Sequence, residues 1–243
     1  MANNNLDKNN LIYGRNPVKE ALKANKVISI YMINNFSHQE ILDLLAKSSA
    51  KVTYVSVKEL DNMCNGVHQG VAAIIKPYQY VSVEEIINAP SKIEGKPPVI
   101  LMLDGINDPH NLGAILRSAD IFGVNGVIIP KHNQVMLNAT VAKTSAGAIN
   151  FVPVAIANNL NQTIALLKKK GYWIVSSDGS ATQNYQDIVY DFPVGLVVGS
   201  EGEGISPLVL KNSDYIVKIP MYGKVNSLNA SVAAGIFLSY IRK

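Results

Sequence analysis

Three short stretches hold the residue types best able to do chemistry. DGINDPHNLGAILRSA carries Asn111 and Arg117, GSEGEGI (199 to 205) carries Glu201 and Glu203, and MYGKVNSLNASVAAG carries Ser227 and Asn229. Carboxamides and hydroxyls orient a substrate, a carboxylate attracts a cation or accepts from a hydroxyl, and a guanidinium holds phosphate or a developing oxyanion. Each stretch also admits a structural reading. Arg117, following the apolar Ile115 and Leu116, suits a solvated helix position as well as a site. The three glycines of GSEGEGI fit a backbone that approaches a ligand closely, or a plain acidic turn. A phosphate cradle fits poorly, because Glu201 and Glu203 would repel it and neither the Gly-Lys-Ser/Thr nor the G-x-G-x-x-G pattern is present. In VNSLNASVAAGIF, Asn226, Ser227, Asn229 and Ser231 suit the cap of an apolar helix, with Ser227 or Asn226 as the cap, or a binding site. His110 stands beside Asn111, but no second ligand stands at metal spacing, and His38, His68 and His132 are isolated, so no metal is expected.

The elements that must position these stretches follow from hydrophobic pattern. In the second half, apolar strands are expected at VILMLD (99–104), GVIIP (126–130), NFVPVA (150–155), YWIVSS (172–177), VGLVVGS (194–200) and YIVKIP (215–220). Helices are expected between them, at 111–122, 138–145, 160–170, 206–211 and 227–241. Apolar strands alternating with helices imply an α/β fold, a mostly parallel sheet with helices on both faces. Ligands of such sheets bind beyond the carboxyl ends of the strands, where all three polar stretches fall. Before Lys76 the pattern gives strands at 28–33, 51–56 and 70–75. Asn16-Pro17 reads as a helix start, and Ser37 with Glu40 and Ser56 with Glu59 read as capping boxes. Pro77, Pro90, Pro97 and Pro98 punctuate a polar stretch that holds one short helix candidate, 82–88. The expected organisation is a flexible tail at 1–10, a small α/β domain at 11–76, a linker at 77–98 and a larger domain at 99–243.

Composition bounds the function class. The 243 residues carry a net charge of +4, and the sequence pI is about 9.0, a mild signal of an anionic partner such as RNA. One cysteine, Cys64, excludes a disulfide framework and a multi-cysteine zinc site, and it reads as a small buried residue. No apolar run approaches the ~20 residues that cross a bilayer, and the polar opening MANNNLDKNN is unlike a signal peptide, so a cytoplasmic protein without a membrane partner is expected.

The set NLGAILRSADIFGVNGVI, VVGSEGEGI and IPMYGKVNSLNASVAAGI resembles the three motifs of the SpoU-type (TrmH-like) RNA ribose 2'-O-methyltransferases of the SPOUT superfamily, in the family's order, across about residues 99 to 241. LIYGRNPVKEAL and GVHQGVAAI resemble the N-terminal RNA-recognition domain of members that methylate a guanosine of bacterial 23S rRNA. The resemblance implies a deep trefoil knot in the C-terminal sheet, S-adenosyl-L-methionine as cofactor, RNA as substrate, and a homodimer whose active site draws on both subunits. Carried over by position, Gly199, Ile219 and Leu228 would contact the cofactor, while Asn111, Arg117, Glu201, Ser227 and Asn229 match the polar active-site positions. Arg15, Asn16 and the His68-Gln69-Gly70 turn become candidates for RNA contacts. Related enzymes that act on a guanosine of the tRNA D-loop generally lack the separate N-terminal domain, which favours rRNA. A non-catalytic RNA-binding assembly factor is the alternative from another class.

Overall fold

A computed structural model describes residues 10–225 and 227–243. Most of the expected tail, and Asn226, lie outside the described residues. In chain order the elements are β1 (Leu11–Tyr13), α1 (Arg15–Lys23), β2 (Val27–Ile33), α2 (Gln39–Ala46), β3 (Lys51–Val55), α3 (Val57–Met63), β4 (Val71–Ile75) and α4 (Val83–Asn88). There follow β5 (Val99–Asp104), α5 (Pro109–Ile121), β6 (Gly126–Pro130), α6 (Ala139–Thr144), β7 (Val154–Ala157) and α7 (Leu160–Lys169). Last come β8 (Trp173–Ser177), β9 (Gln183–Asn184), β10 (Val194–Gly199), α8 (Pro207–Lys211), β11 (Tyr215–Lys218) and α9 (Ala230–Ile241). The chain divides into two compact units, one with the residues up to Tyr78 plus Leu137–Asn150, the other with Gln79–Met136 and Phe151–Lys243.

The first unit is built on a four-stranded sheet of order β1-β4-β2-β3, in which only the β2/β3 pair is parallel. The continuous apolar run of β4 makes it a central strand, with Val71, Ala72 and Ala73 fully buried. Leu60 and Cys64 pack with Leu11 and Ala72 in one cluster, and burial in apolar surroundings with Asp61 nearby pushes the Cys64 thiol up to about 11. The segment around α6 joins this unit because Val141 and Ala142 are buried and α6 lies against β1 and α1. There Gly147 has φ of +97°, and an added Cβ would meet the Glu20 Cβ at 2.6 Å, so only glycine fits.

Two expected caps are not formed here. Helix α1 starts at Arg15 rather than at Pro17, behind Gly14 at φ of 94°, and the Arg15 N–H donates to Gln69 Oε1 at 2.9 Å, so a distant side chain does what Asn16 was expected to do. Helix α2 follows His38 with no side-chain cap, because Glu40 instead pairs with Lys19 at 3.2 Å and Lys23 at 3.3 Å on α1. The Ser56/Glu59 box forms as expected.

The second unit carries a seven-stranded sheet of order β7-β6-β5-β10-β8-β11-β9, every ladder of which is parallel. Residues 100–103 and Val127, Ile128 and Ile129 are 0% exposed, as strands covered on both faces must be. Strand β7 starts at Val154, after Pro153, which has no N–H for a ladder, so NFVPVA is displaced by four residues from the expected start. The short β1 and β9 carry too few residues for a periodic signal. At the other end of the sequence, α9 begins at Ala230 with Asn229 as its cap rather than the expected Ser227, because residues 227–229 precede the helix as irregular chain; the alternative, Asn226, lies outside the described residues.

Candidate active site

The loops beyond the carboxyl ends of β5, β10 and β11 belong to one unit and meet. Asp108 caps α5 by accepting from the His110 N–H at 2.8 Å, with Pro109 at the first helical position, so Asn111 is the third residue of the helix rather than its opener. After β10 the chain folds into a tight loop in which Ser200 and Gly204 exchange backbone hydrogen bonds of 3.0 and 3.2 Å. A Cβ on Gly199 would overlap the Gly204 carbonyl and fall 2.6 Å from the Ile205 nitrogen, so the loop closes only over a glycine. That loop projects Glu201.

Glu201 is the hub of a three-residue network. Its Oε1 accepts from Asn111 Nδ2 at 2.9 Å, from Asn229 Nδ2, and from the Ala230 N–H at 3.4 Å. Asn229 Nδ2 also donates to Asn111 Oδ1 at 2.9 Å. The orientation of Asn229 is dictated by the helix it caps: its Oδ1 accepts from the Ser231 N–H at 2.9 Å and the Val232 N–H at 3.4 Å, so its amide must face the other way. Capping and site formation are therefore one act by one side chain. Glu201 Oε2 makes no hydrogen bond among the described residues and remains available as an acceptor.

A cleft of about 320 Å³ lies beside this network, at the ends of β8, β10 and β11. Gly199, Ile219, Leu228, Ser227 and Glu201 all line it, so every expected cofactor position and two of the polar positions share one cavity. Val198 and Phe237 supply apolar wall, while Asp178 and Glu201 make it acidic, with Lys218 among its lining side chains. This lining suits a ligand with an apolar body and a positive centre. Ser177 and Asp178 were not anticipated, since nothing in YWIVSSDGS marks a site. Only the adjacency of β8 to β10 brings them in.

Arg117 is not brought to the network. Six residues separate it from Asn111, a rotation of about 240° and a rise of about 9 Å along a helix, so the two point to different faces of α5. Arg117 is exposed and makes no hydrogen bond or ion pair among the described residues. In the first unit, Arg15 and Asn16 are exposed, but the His68-Gln69-Gly70 turn is occupied with scaffolding. Gln69 caps α1, while His68 Nδ1 accepts from the Gly70 N–H at 3.0 Å and Nε2 faces Asp61 Oδ1 at 3.1 Å. Among the described residues no group of three or more His, Cys, Asp or Glu side chains could hold a metal ion, and no helix is long and apolar enough to cross a membrane.

Comparison with known proteins adds three findings. Residues 98–239 match the family model described as the SpoU rRNA Methylase family, and residues 11–81 match one described as RNA 2'-O ribose methyltransferase substrate binding. A Staphylococcus haemolyticus protein assigned to the TrmH family of tRNA/rRNA methyltransferases is 46% identical over 232 residues, which is 94% of this chain and 93% of that one. Among solved structures, the SpoU methyltransferase AviRb of Streptomyces viridochromogenes in complex with AdoMet superposes with a TM-score of 0.81 at 22% identity, over 96% of this chain and 88% of its own. The A. aeolicus TrmH/SpoU tRNA modifying enzyme, 29% identical with a TM-score of 0.56, covers 66% of this chain and 79% of its own.

Proposed function

The chain belongs to the SpoU rRNA methylase family, and on that premise we propose that it uses S-adenosyl-L-methionine to methylate the ribose 2'-hydroxyl of a guanosine in 23S rRNA. The observation that carries the choice of rRNA is architectural. A separate N-terminal unit, matched over residues 11–81 by a substrate-binding model, accompanies the methylase region, whereas the tRNA-modifying relative corresponds to about two thirds of the chain. Purified protein assayed with labelled S-adenosylmethionine on rRNA and on tRNA tests this. Label on rRNA is expected, and methylation of tRNA alone would overturn the choice. Comparing 2'-O-methyl sites in rRNA from cells with and without the gene then gives the nucleotide.

The cleft fits the cofactor. Gly199, Ile219 and Leu228 would hold it, and the acidic lining favours a sulfonium where it would repel a phosphate. Bound there, the cofactor supplies an electrophilic methyl group. The chain's own task is to bring the ribose hydroxyl into line, exclude water and handle the hydroxyl proton. Positioning of two bound reactants contributes on the order of 7 kcal/mol or more in favourable cases. Glu201 Oε2 is the free acceptor nearest this task, with Asn111 and Asn229 fixing its carboxylate and Ser227 at the cleft wall. Arg117 holds an RNA phosphate and stabilises the developing alkoxide. A guanidinium delocalises its charge over three nitrogens and holds its proton tightly, so it is a poor general base.

The reading includes a homodimer that delivers Arg117 to the partner subunit's site. Supporting it, Arg117 is exposed without a partner among the described residues, and on the same helix pair Ile121 is 67% exposed and Val232 48% exposed, apolar surface that suits an interface. A knotted path is part of the same reading, supported by a strand order that sets β10 between β5 and β8. The protein would act in the cytoplasm, where rRNA is found.

A further inference from the structure

A second recess, of about 510 Å³, adjoins the network on the side away from Leu228 and Ile219, and Ser200 to Glu203 line both cavities. Its side chains include Asn107, Asp108, Asn111, Asn133, Glu201 and Glu203. We propose that this recess receives the base of the target nucleotide, which Asn107 and Asn133 read by hydrogen bonds, with guanine the base it fits. The inference rests on the methyltransferase reading and deepens it by assigning the nucleoside subsite.

Three observations carry it. The first is position: Glu201 is common to both cavities, so a nucleoside in the recess has its sugar at the carboxylate that also faces the cofactor cleft. The second is rigidity. Two loops, one after β5 and one after β6, are tied together where Gln134, 9% exposed, accepts from the Ile106 N–H at 2.9 Å and the Val135 N–H donates to the Ile106 carbonyl at 2.9 Å. Asn107 and Asn133 directly flank these ties, and Asn133 has φ of +54°, a left-handed conformation that Asn tolerates and most residues do not. Neither carboxamide makes a hydrogen bond among the described residues, and both are exposed, so each has donors and an acceptor open to a ligand. The third is chemistry. A carboxamide satisfies a base edge with a donor and an acceptor together, and unstacked bases in RNA are read on those edges. The carboxylates Asp108 and Glu203 make the lining rich in acceptors, which suits the N1–H and N2–H donors of guanine and leaves adenine's N1, an acceptor, facing acceptors.

The test uses the full chain with saturating S-adenosylmethionine. Protein labelled with nitrogen-15 is titrated with guanosine, adenosine, cytidine and uridine 5'-monophosphates while the side-chain amide resonances of Asn107 and Asn133 are followed. Guanosine monophosphate is expected to shift both, saturably and at lower concentration than the other three. In parallel, an Asn107→Ala, Asn133→Gly variant, in which glycine keeps the left-handed backbone, is assayed on rRNA fragments carrying each base at the target position. Its preference for guanosine should fall about 5- to 150-fold, while its affinity for S-adenosylmethionine by calorimetry stays unchanged. Absence of shifts with every nucleotide, no preference for guanosine monophosphate, or a variant that keeps its base preference and its KM for RNA would each overturn the assignment. A wild-type protein that transfers methyl to no RNA, yet shows the guanosine-specific shifts, would instead remove the methyltransferase reading and leave the nucleoside subsite standing.

Discussion

Removing the Glu201 carboxylate separates geometry from charge. Its Oε1 collects three N–H donors, from Asn111, Asn229 and the Ala230 backbone. In Glu201→Ala all three lose their acceptor, but the group is exposed, so water replaces it and each bond counts near the low end of its net value, about 0.5 kcal/mol. The total is about 1.5 kcal/mol, which for a chain of this length lowers Tm by about 3–6 °C. In Glu201→Gln one carbonyl oxygen can still collect the same three donors, so the Tm loss should stay below about 3 °C. Transfer should part company with stability. The alanine variant should lose on the order of a hundredfold or more in kcat, as when a positioning group beside the reacting atoms is lost, whereas glutamine keeps the hub on one carbonyl oxygen but puts an NH2 donor in place of the Oε2 acceptor, so its transfer should fall between alanine and the wild type. Thermal melts paired with single-turnover transfer from labelled S-adenosylmethionine measure both quantities. If Glu201→Ala kept full transfer, the hub would not be holding the site. If Glu201→Gln melted like the wild type yet transferred as poorly as alanine, charge rather than geometry would be the working property of this residue.

Three further outcomes follow from the same structure. Gly199→Ala forces a Cβ into the Gly204 carbonyl, so it should cost about 1–3 kcal/mol in stability and abolish S-adenosylmethionine binding measured by calorimetry. Gln69→Ala removes the only side-chain oxygen that reaches the first turn of α1 among the described residues, and should destabilise the first unit by about 0.5–2 kcal/mol in urea melts while leaving cofactor affinity unchanged. Arg117→Ala, at an exposed position with no partner among the described residues, should shift stability by no more than about 0.5 kcal/mol yet severely reduce transfer. An Arg117→Lys enzyme with near-normal transfer and an alkaline-shifted pH profile would favour a general-base role over the electrostatic one.

Much of the fold was legible because its signals are local. β5 and β6 match their expected bounds, as strands buried on both faces must be continuously apolar, and the Ser56/Glu59 cap acts within four residues of chain. The failures involve partners far away in sequence. Gln69 takes the cap expected of Asn16 from 54 residues away, Glu40 leaves its expected box for α1, and residues 137–150 join the first unit although the alternating pattern runs through them.

The sequence by itself determined which three loops hold the polar residues, since ligand sites of parallel sheets follow apolar strands and glycine marks where backbone must come close. Motif resemblance named Gly199, Ile219 and Leu228 as cofactor positions and Ser227 as a polar active-site position. Only the tertiary structure decided that Glu201 joins Asn111 to Asn229, residues 118 apart, and that Arg117 stands outside that group. The physical reason is that strand order sets β10 beside β5 and β8, and helix rotation turns Arg117 away from Asn111; both are fixed by packing between distant segments, which no local pattern encodes.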